Sequence, residues 1–309
     1  MNWLIIWLMI FSTSDDPAFR SPSVRLSLDG SSLPRYRLAF VVMPGDSVTL
    51  STDEAITGWS VTAGEPATGS GDTFGWRAPR SHGIYYLDVS SGDAVEKFTV
   101  IVPVESSRWR TATLNSFPIG RYGDGNGMER KPEFFVELDA AGMNARVTPH
   151  LKLGDFLCHL EGSYPQYMAL DLRLADKLEE ILVTVREVYP PAARIHNISG
   201  FRTPIYNAAI GNETGESLHL YGAAADIWIE SWPANGLMDD LDRNKRVDVY
   251  DGEYLVEIVR TLEARGIVVT GGASAYRWIL SHGPFVHIDT RGSGAVWPTR
   301  RTLVEDPVI

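Results

Sequence analysis

Cysteine is almost absent: Cys158 is the only one in 309 residues. A single thiol excludes an intrachain disulfide and any multi-cysteine metal cluster. It sits in the apolar stretch Phe156-Leu157-Cys158 and reads as a core thiol. Basic charge is scarce as well. Lys and Arg number 28 against 39 Asp and Glu, a net charge of -11. No long basic run offsets that balance, so the chain lacks the clustered cations that nucleic-acid binding needs to displace counterions. Apolar runs long enough to cross a membrane are missing beyond the N-terminus, and there is no internal repeat.

What is present describes a globular protein. Hydrophobic residues make up 44% and charged residues 22%, in a chain long enough for two domains. Met1 to Phe11 read MNWLIIWLMIF. This resembles the apolar core of a secretory signal, although no Lys or Arg precedes it and no small-x-small cleavage site follows. Residues 1–22 are therefore expected to be a signal peptide, with an uncleaved N-terminal anchor as the alternative. The expected location is periplasmic or extracellular.

Residues 23–105 alternate with period two in short runs such as Val24-Arg25-Leu26-Ser27-Leu28 and Ile84-Tyr85-Tyr86-Leu87, split by Gly, Pro and Asp turns. This spacing predicts an Ig-like β-sandwich, acting as a spacer or interaction module. Residues 106–147 are rich in glycine and charge. They read as a bridge that either links the domains or threads over the second.

Residues 148–309 mix helical and strand patterns, so the whole chain is α+β. Thr148-Pro149 has the form of a helix start. Leu174, Leu178, Ile181, Leu182 and Val185 recur at helical steps until Pro190-Pro191. Strands are expected at 194–199, 226–230, 267–270 and 285–289, and a second helix at 253–265.

One segment carries chemistry. Ser217-Leu218-His219-Leu220-Tyr221-Gly222-Ala223-Ala224-Ala225-Asp226 sets a carboxylate seven residues after a histidine. A carboxylate at the start of a buried strand is costly unless paired or bound to a metal. His287 follows in Phe285-Val286-His287-Ile288-Asp289, where His287 and Asp289 share a strand face. Two histidines and one carboxylate with an open fourth position form a common catalytic zinc set. Singly, each reads more simply as a loop, strand or turn residue; their conjunction points to metal.

These residues also carry a resemblance. S-x-H-x-x-G-x-A-x-D, then F-V-H-x-D, with Ser199-Gly200-Phe201-Arg202-Thr203-Pro204-Ile205-Tyr206-Asn207 upstream, resembles the D-Ala-D-Ala carboxypeptidase group of zinc peptidases. That group shares a fold with hedgehog signalling domains. The likeness covers about residues 148–300 and implies a small antiparallel sheet flanked by helices. It implies His219, Asp226 and His287 as zinc ligands, Arg202 as a holder of substrate carboxylate or oxyanion, and Ser217 as a substrate contact. The substrate it implies is a peptidoglycan peptide.

The chain departs from that pattern at one place. Many members carry Glu or Asp three residues before the last histidine ligand as general base, and here that position is Pro284. His282, five residues before His287, is one candidate base, because an imidazole titrates near neutrality. Asp289 is the other, unless it orients His287. The expected activity is zinc-dependent amide hydrolysis, as a carboxypeptidase or a crosslink endopeptidase. The alternative, favoured by Pro284, is a zinc-containing module that binds cell wall or protein without catalysis.

A second oxygen-rich loop follows. Asp240, Asp242, Asn244, Asp248 and Asp251 fall at positions one, three, five, nine and twelve of a calcium-loop pattern. Lys245 stands at position six, where such loops need glycine, so any affinity is expected to be weak. The simpler reading is an acidic turn held by Asx hydrogen bonds.

Overall fold

The computed structural model describes residues 21–105, 112–122, 132–160, 164–190, 192–212, 215–278 and 282–295. The expected signal or anchor lies outside them except for its last two residues. The fold is mixed α+β, with mostly antiparallel sheets.

The N-terminal third holds β1 (Leu26–Leu28), β2 (Ser31–Ser32), β3 (Ala39–Val41), β4 (Ser47–Thr52), β5 (Gly58–Val61), β6 (Glu65–Ser70), β7 (Thr73–Arg77), β8 (Gly83–Ser91) and β9 (Ala94–Val102). They form two sheets, β2-β1-β4-β7-β6 and β3-β9-β8-β5, antiparallel except for the β3–β9 pair. Strand β9 shows how these sheets are used. Phe98, Val100 and Val102 enter one core with Leu26, Phe40, Leu50, Trp76 and Leu87. Ile101, pointing the other way, enters a second core with Ala39, Val104, Phe135 and Leu138. A strand buried on both faces reads as an unbroken apolar run, which Phe98–Val102 nearly is.

The second core takes up described residues of 106–147, the segment read as a linker or bridge. Here β10 (Val104–Glu105) pairs with β11 (Phe134–Leu138), which pairs with β12 (Gln166–Met168). Phe117, Ile119 and Tyr122 are buried in the same core. The described residues of this segment are therefore part of the packing between the two halves. Leu38 N–H donates to the Val147 carbonyl (2.8 Å), Thr99 Oγ1 donates to the Arg146 carbonyl (2.7 Å), and Arg37 is paired with Asp176.

The C-terminal half contains α1 (Leu172–Val188), β13 (Ala192–Ser199), α2 (Pro204–Ala209), β14 (Ala224–Ser231), α3 (Val249–Ala264), β15 (Ala273–Tyr276) and β16 (Phe285–Asp289). The sheet order is β13-β14-β16-β15, all antiparallel. Ile227, Ile229, Val286 and Ile288 lie in the core shared with Leu174, Leu178 and Ile181 of α1 and Leu255 and Val259 of α3. The helices thus cover one face of the sheet and leave the other to the site. Among the described residues no helix is long and apolar enough to cross a membrane.

Two local expectations fail for physical reasons. Thr148-Pro149 closes a turn and not a helix: the fully buried Thr148 hydroxyl accepts from Leu151 N–H (3.2 Å) and donates to Glu179 (2.7 Å), but the Leu151 carbonyl turns back to accept from Val147 N–H (2.8 Å). Residues 267–270 are not a strand; the Val269 carbonyl instead accepts from Lys177 Nζ (3.1 Å), and the edge strand begins at Ala273.

Lys177 is fully buried on α1 and ties three elements together. Its ammonium donates to Glu263 Oε1 (2.6 Å), the Val269 carbonyl and the Asp289 carbonyl (2.9 Å). Burial lowers its pKa, and Glu263 works against that. Lys177→Met strands the Glu263 charge, so a loss of about 3–5 kcal/mol is expected in denaturant unfolding. Removing both charges in Lys177→Met/Glu263→Leu should recover much of it; a double variant no better than the single would refute the pairing.

Candidate metal centre

Three elements bring the expected ligands together. Asp226 is the third residue of β14, opposite Ser199 of β13 and His287 of β16. His219 lies on the 3-10 turn Leu218–Tyr221, which ends at Gly222 with φ +64°. A side chain at Gly222 would meet the Ala169 carbonyl oxygen at 2.0 Å, so glycine is required twice over, by conformation and by space.

The ligand atoms form a small triangle. His219 Nε2 lies 3.2 Å from His287 Nδ1 and 3.4 Å from Asp226 Oδ1, and His287 Nδ1 lies 2.9 Å from Asp226 Oδ1. Ligands set tetrahedrally at about 2.0–2.1 Å from zinc stand roughly 3.3 Å apart. The triangle already has that size.

The outer hydrogen bonds fix which nitrogen faces inward. His219 Nδ1 lies 2.7 Å from the Gly200 carbonyl, which can only accept. Nδ1 is therefore the donor, and the Nε2 of neutral His219 presents a lone pair. His287 Nε2 faces Asp289 Oδ2 at 3.3 Å, so its Nδ1 likewise faces the triangle. Two imidazole lone pairs and a carboxylate converge in a buried place, and that arrangement calls for a cation or a proton.

The titration shifts say the same. Burial lowers His219, and Asp226 only partly opposes it. Burial would raise Asp226, but the charge and hydrogen bonds of His219 and His287 outweigh it and hold the carboxyl well below its usual range. Burial would lower His287, but hydrogen bonds and charge from Asp226 and Asp289 raise it. Without metal, His287 is the group that takes the proton.

Arg202 lies directly behind the ligands. Its Nη2 is paired with Asp226 Oδ2, and its Nε donates to Ser199 Oγ (2.7 Å). It therefore grips the carboxylate oxygen turned away from the triangle. Ser217 precedes the 3-10 turn two residues before His219 and is half-buried. Asp289 is fully buried and accepts from Gly272 N–H (2.7 Å), from Arg291 N–H (3.1 Å), and from Arg291 Nη2 (2.6 Å). Burial would raise it, but His287 and Arg291 hold it far below its usual value. It sits on the outer side of His287 as an orienting group. His282 is half-buried, with Nδ1 2.9 Å from the Gly283 carbonyl and its ring edge-on to Phe285.

Sequence reading missed the Gly200 carbonyl, Ser199, and the Gly272 and Arg291 donors to Asp289. Gly271-Gly272 and the arginine two residues past Asp289 were the available signals.

The acidic loop converges only in part. Asp240, Asp242 and Asp251 offer oxygens within 4.8 Å of one another, while Asp248 stands outside that group and Asn244 directs its N–H donors at Asp240 and Asp242. Asp248 caps α3 by accepting from Tyr250 N–H (2.8 Å), and Asp251 Oδ2 accepts from Asp248 N–H (2.9 Å). The last two positions of the calcium pattern thus serve as a helix capping box. Lys245 holds φ +71° at the position where a glycine would fit.

No family model, curated protein or solved structure matches the chain.

Zinc titrated into metal-stripped protein is expected to bind one ion per chain, with affinity falling about tenfold per pH unit below the raised pKa of His287. Calorimetry in two buffers should register the released proton. His219→Ala and Asp226→Asn should lose stoichiometric zinc by elemental analysis. Wild-type metal content in either variant would place the ion elsewhere.

Proposed function

We propose that the chain is a zinc-dependent amide hydrolase acting on peptidoglycan peptides, as its resemblance to the D-Ala-D-Ala peptidase group implies. The observation that carries this reading is the tetrahedral-sized triangle of His219, Asp226 and His287, with both histidines held by their outer nitrogens. When bound, zinc supplies Lewis acidity that makes water a nucleophile near pH 7.

The chain's own residues supply the rest. Arg202 keeps Asp226 oriented and leaves Nη1 uncommitted among the described residues, available to an oxyanion or terminal carboxylate. Ser217 flanks His219 as a substrate contact. Asp289 is bonded behind His287, which leaves His282 as the base of this reading. Export through the N-terminal apolar run brings the enzyme to the cell wall, and the N-terminal strands are read as an Ig-like sandwich that braces it. The Asp240 loop is assigned a weak calcium site. A melting temperature unmoved by about 10 mM calcium would remove that assignment.

The zinc-loaded chain incubated with muropeptides should release D-alanine or split a crosslink, with mass spectrometry identifying which. His282→Ala should lower kcat by about 100-fold or more while zinc content stays intact. Full metal occupancy with no product would favour the non-catalytic binding module that Pro284 suggests.

A further inference from the structure

The ladder between β15 and β16 stops one residue short of Asp289. Its pairs run from Tyr276–Phe285 to Ala273–Ile288. One further step sets Gly272 opposite Asp289, and the Asp289 N–H does donate to the Gly272 carbonyl (2.9 Å). In a regular antiparallel pair the return bond would run from the Gly272 N–H to the Asp289 carbonyl. Here that bond is diverted. The Gly272 N–H donates to Oδ1 of the Asp289 carboxylate (2.7 Å), whose other oxygen faces His287 Nε2. The carbonyl left over is buried with the rest of Asp289, so it needs another donor.

That donor is the ammonium of Lys177, 2.9 Å away and itself fully buried. The next N–H along the edge is committed elsewhere. Gly271 gives it to Glu263 Oε1 (2.8 Å), the oxygen that also accepts from Lys177 (2.6 Å). A side chain on Gly271 would collide with the Asp289 carbonyl oxygen, so only glycine lets the carbonyl sit there. The first turns of α1, which carry Lys177, are fastened to both ligand loops. Asp171, the N-cap of α1, donates its N–H to the Gly222 carbonyl at the end of the His219 turn (3.0 Å). Its carboxylate accepts from the hydroxyl of Thr290, the residue after Asp289 (2.7 Å).

We propose that Lys177 is a positioning residue for the metal centre: by holding the Asp289 carbonyl it frees the Gly272 N–H to grip the Asp289 carboxylate, which fixes the His287 ring. The proposal rests on the reading of His287 as a metal ligand and not on hydrolysis. Without the ammonium, a buried carbonyl would lie unpaired beside Gly272, and the simplest relief is to reclaim that N–H. The carboxylate would then be held from the Arg291 side only. Partners behind a metal-binding histidine are worth about 10- to 100-fold in metal affinity. Lys177 acts one bond further out, so its loss should cost about tenfold.

The test uses the full chain in two variants. Lys177→Met/Glu263→Leu removes the ammonium without stranding a charge, and Glu263→Gln keeps the ammonium while removing its counter-charge. Three readouts are compared with the native chain: the unfolding midpoint, zinc affinity by chelator competition, and hydrogen exchange of the His287 Nε2–H in metal-free, histidine-labelled protein. Its signal is assigned by its absence in His287→Ala. In the double variant, zinc affinity should fall about tenfold and the ring proton should exchange faster, although the midpoint has largely recovered. Glu263→Gln should show the reverse, a lower midpoint with ring proton and zinc affinity close to native. Lys177→Gln, too short to reach the carbonyl, takes the place of the double variant if that fails to fold. Either readout at its native value in a folded variant lacking the ammonium would overturn the proposal. So would zinc affinity that follows the midpoint through every variant. A native chain that binds no zinc sinks the metal centre, and the ring proton then decides the role of Lys177 by itself.

Discussion

Three electron-pair donors aimed at one buried point are the constraint on which this structure is organised. His219, His287 and Asp226 approach one another within 3.4 Å, and no donor among them relieves the contact while both imidazoles are neutral. Left alone, such a group would spread apart or take up a proton. It stays together because each member is gripped from outside. The Gly200 carbonyl holds one ring, Asp289 holds the other, and Arg202 holds the far oxygen of the carboxylate.

Those outer groups are themselves anchored by the fold. Gly200 sits so close to Phe156 that a side chain there would meet the Phe156 carbonyl oxygen at 2.7 Å, and the Phe201 N–H donates to that same oxygen at 2.8 Å. The Arg202 N–H returns to the His219 carbonyl at 3.0 Å, which couples the two loops of the site. From the other side, Tyr122 donates to the Leu220 carbonyl at 3.0 Å. Phe135 packs edge-on against Phe201. Tyr122 and Phe135 belong to the segment between the two halves, so the N-terminal part of the chain reaches the back of the metal loops through packing.

How much of this was legible in the sequence follows from the range of each interaction. The grouping of His219, Asp226 and His287 was legible because two lie on strands whose period fixes the face, and the third lies in a turn whose small residues have few other uses. Helix α1 was legible because its apolar stripe is long and ends at two prolines. The packing of 106–147 was not, since glycine and charge look the same in a linker and in a segment that buries apolar side chains such as Phe117, Ile119, Tyr122 and Phe135. Thr148 failed for a related reason. Its hydroxyl does accept from Leu151 N–H (3.2 Å) as a cap would, but it is also tied to a buried Glu179 thirty-one positions away, in a turn that does not continue as a helix. Long-range partners leave no mark in local periodicity.

The acidic loop shows how one spacing can serve two purposes. Oxygens at positions nine and twelve of a calcium loop are also oxygens at the N-cap and third position of a helix, because in both designs a helix starts there. Asp248 and Asp251 are committed to the cap, and Asp251 also accepts from the backbone of Leu241 at 2.7 Å. Burial nonetheless pushes the Asp251 carboxyl up to about 6, against those backbone hydrogen bonds. Backbone donors therefore satisfy its geometry without fully offsetting its charge. Contrast the metal triangle, where the acceptors face one another and the backbone reaches only their outer sides. Donors directed into an acidic cluster mark a turn, and acceptors directed into it mark a place for a cation. By that criterion His219, Asp226 and His287 form the stronger candidate metal site of the two.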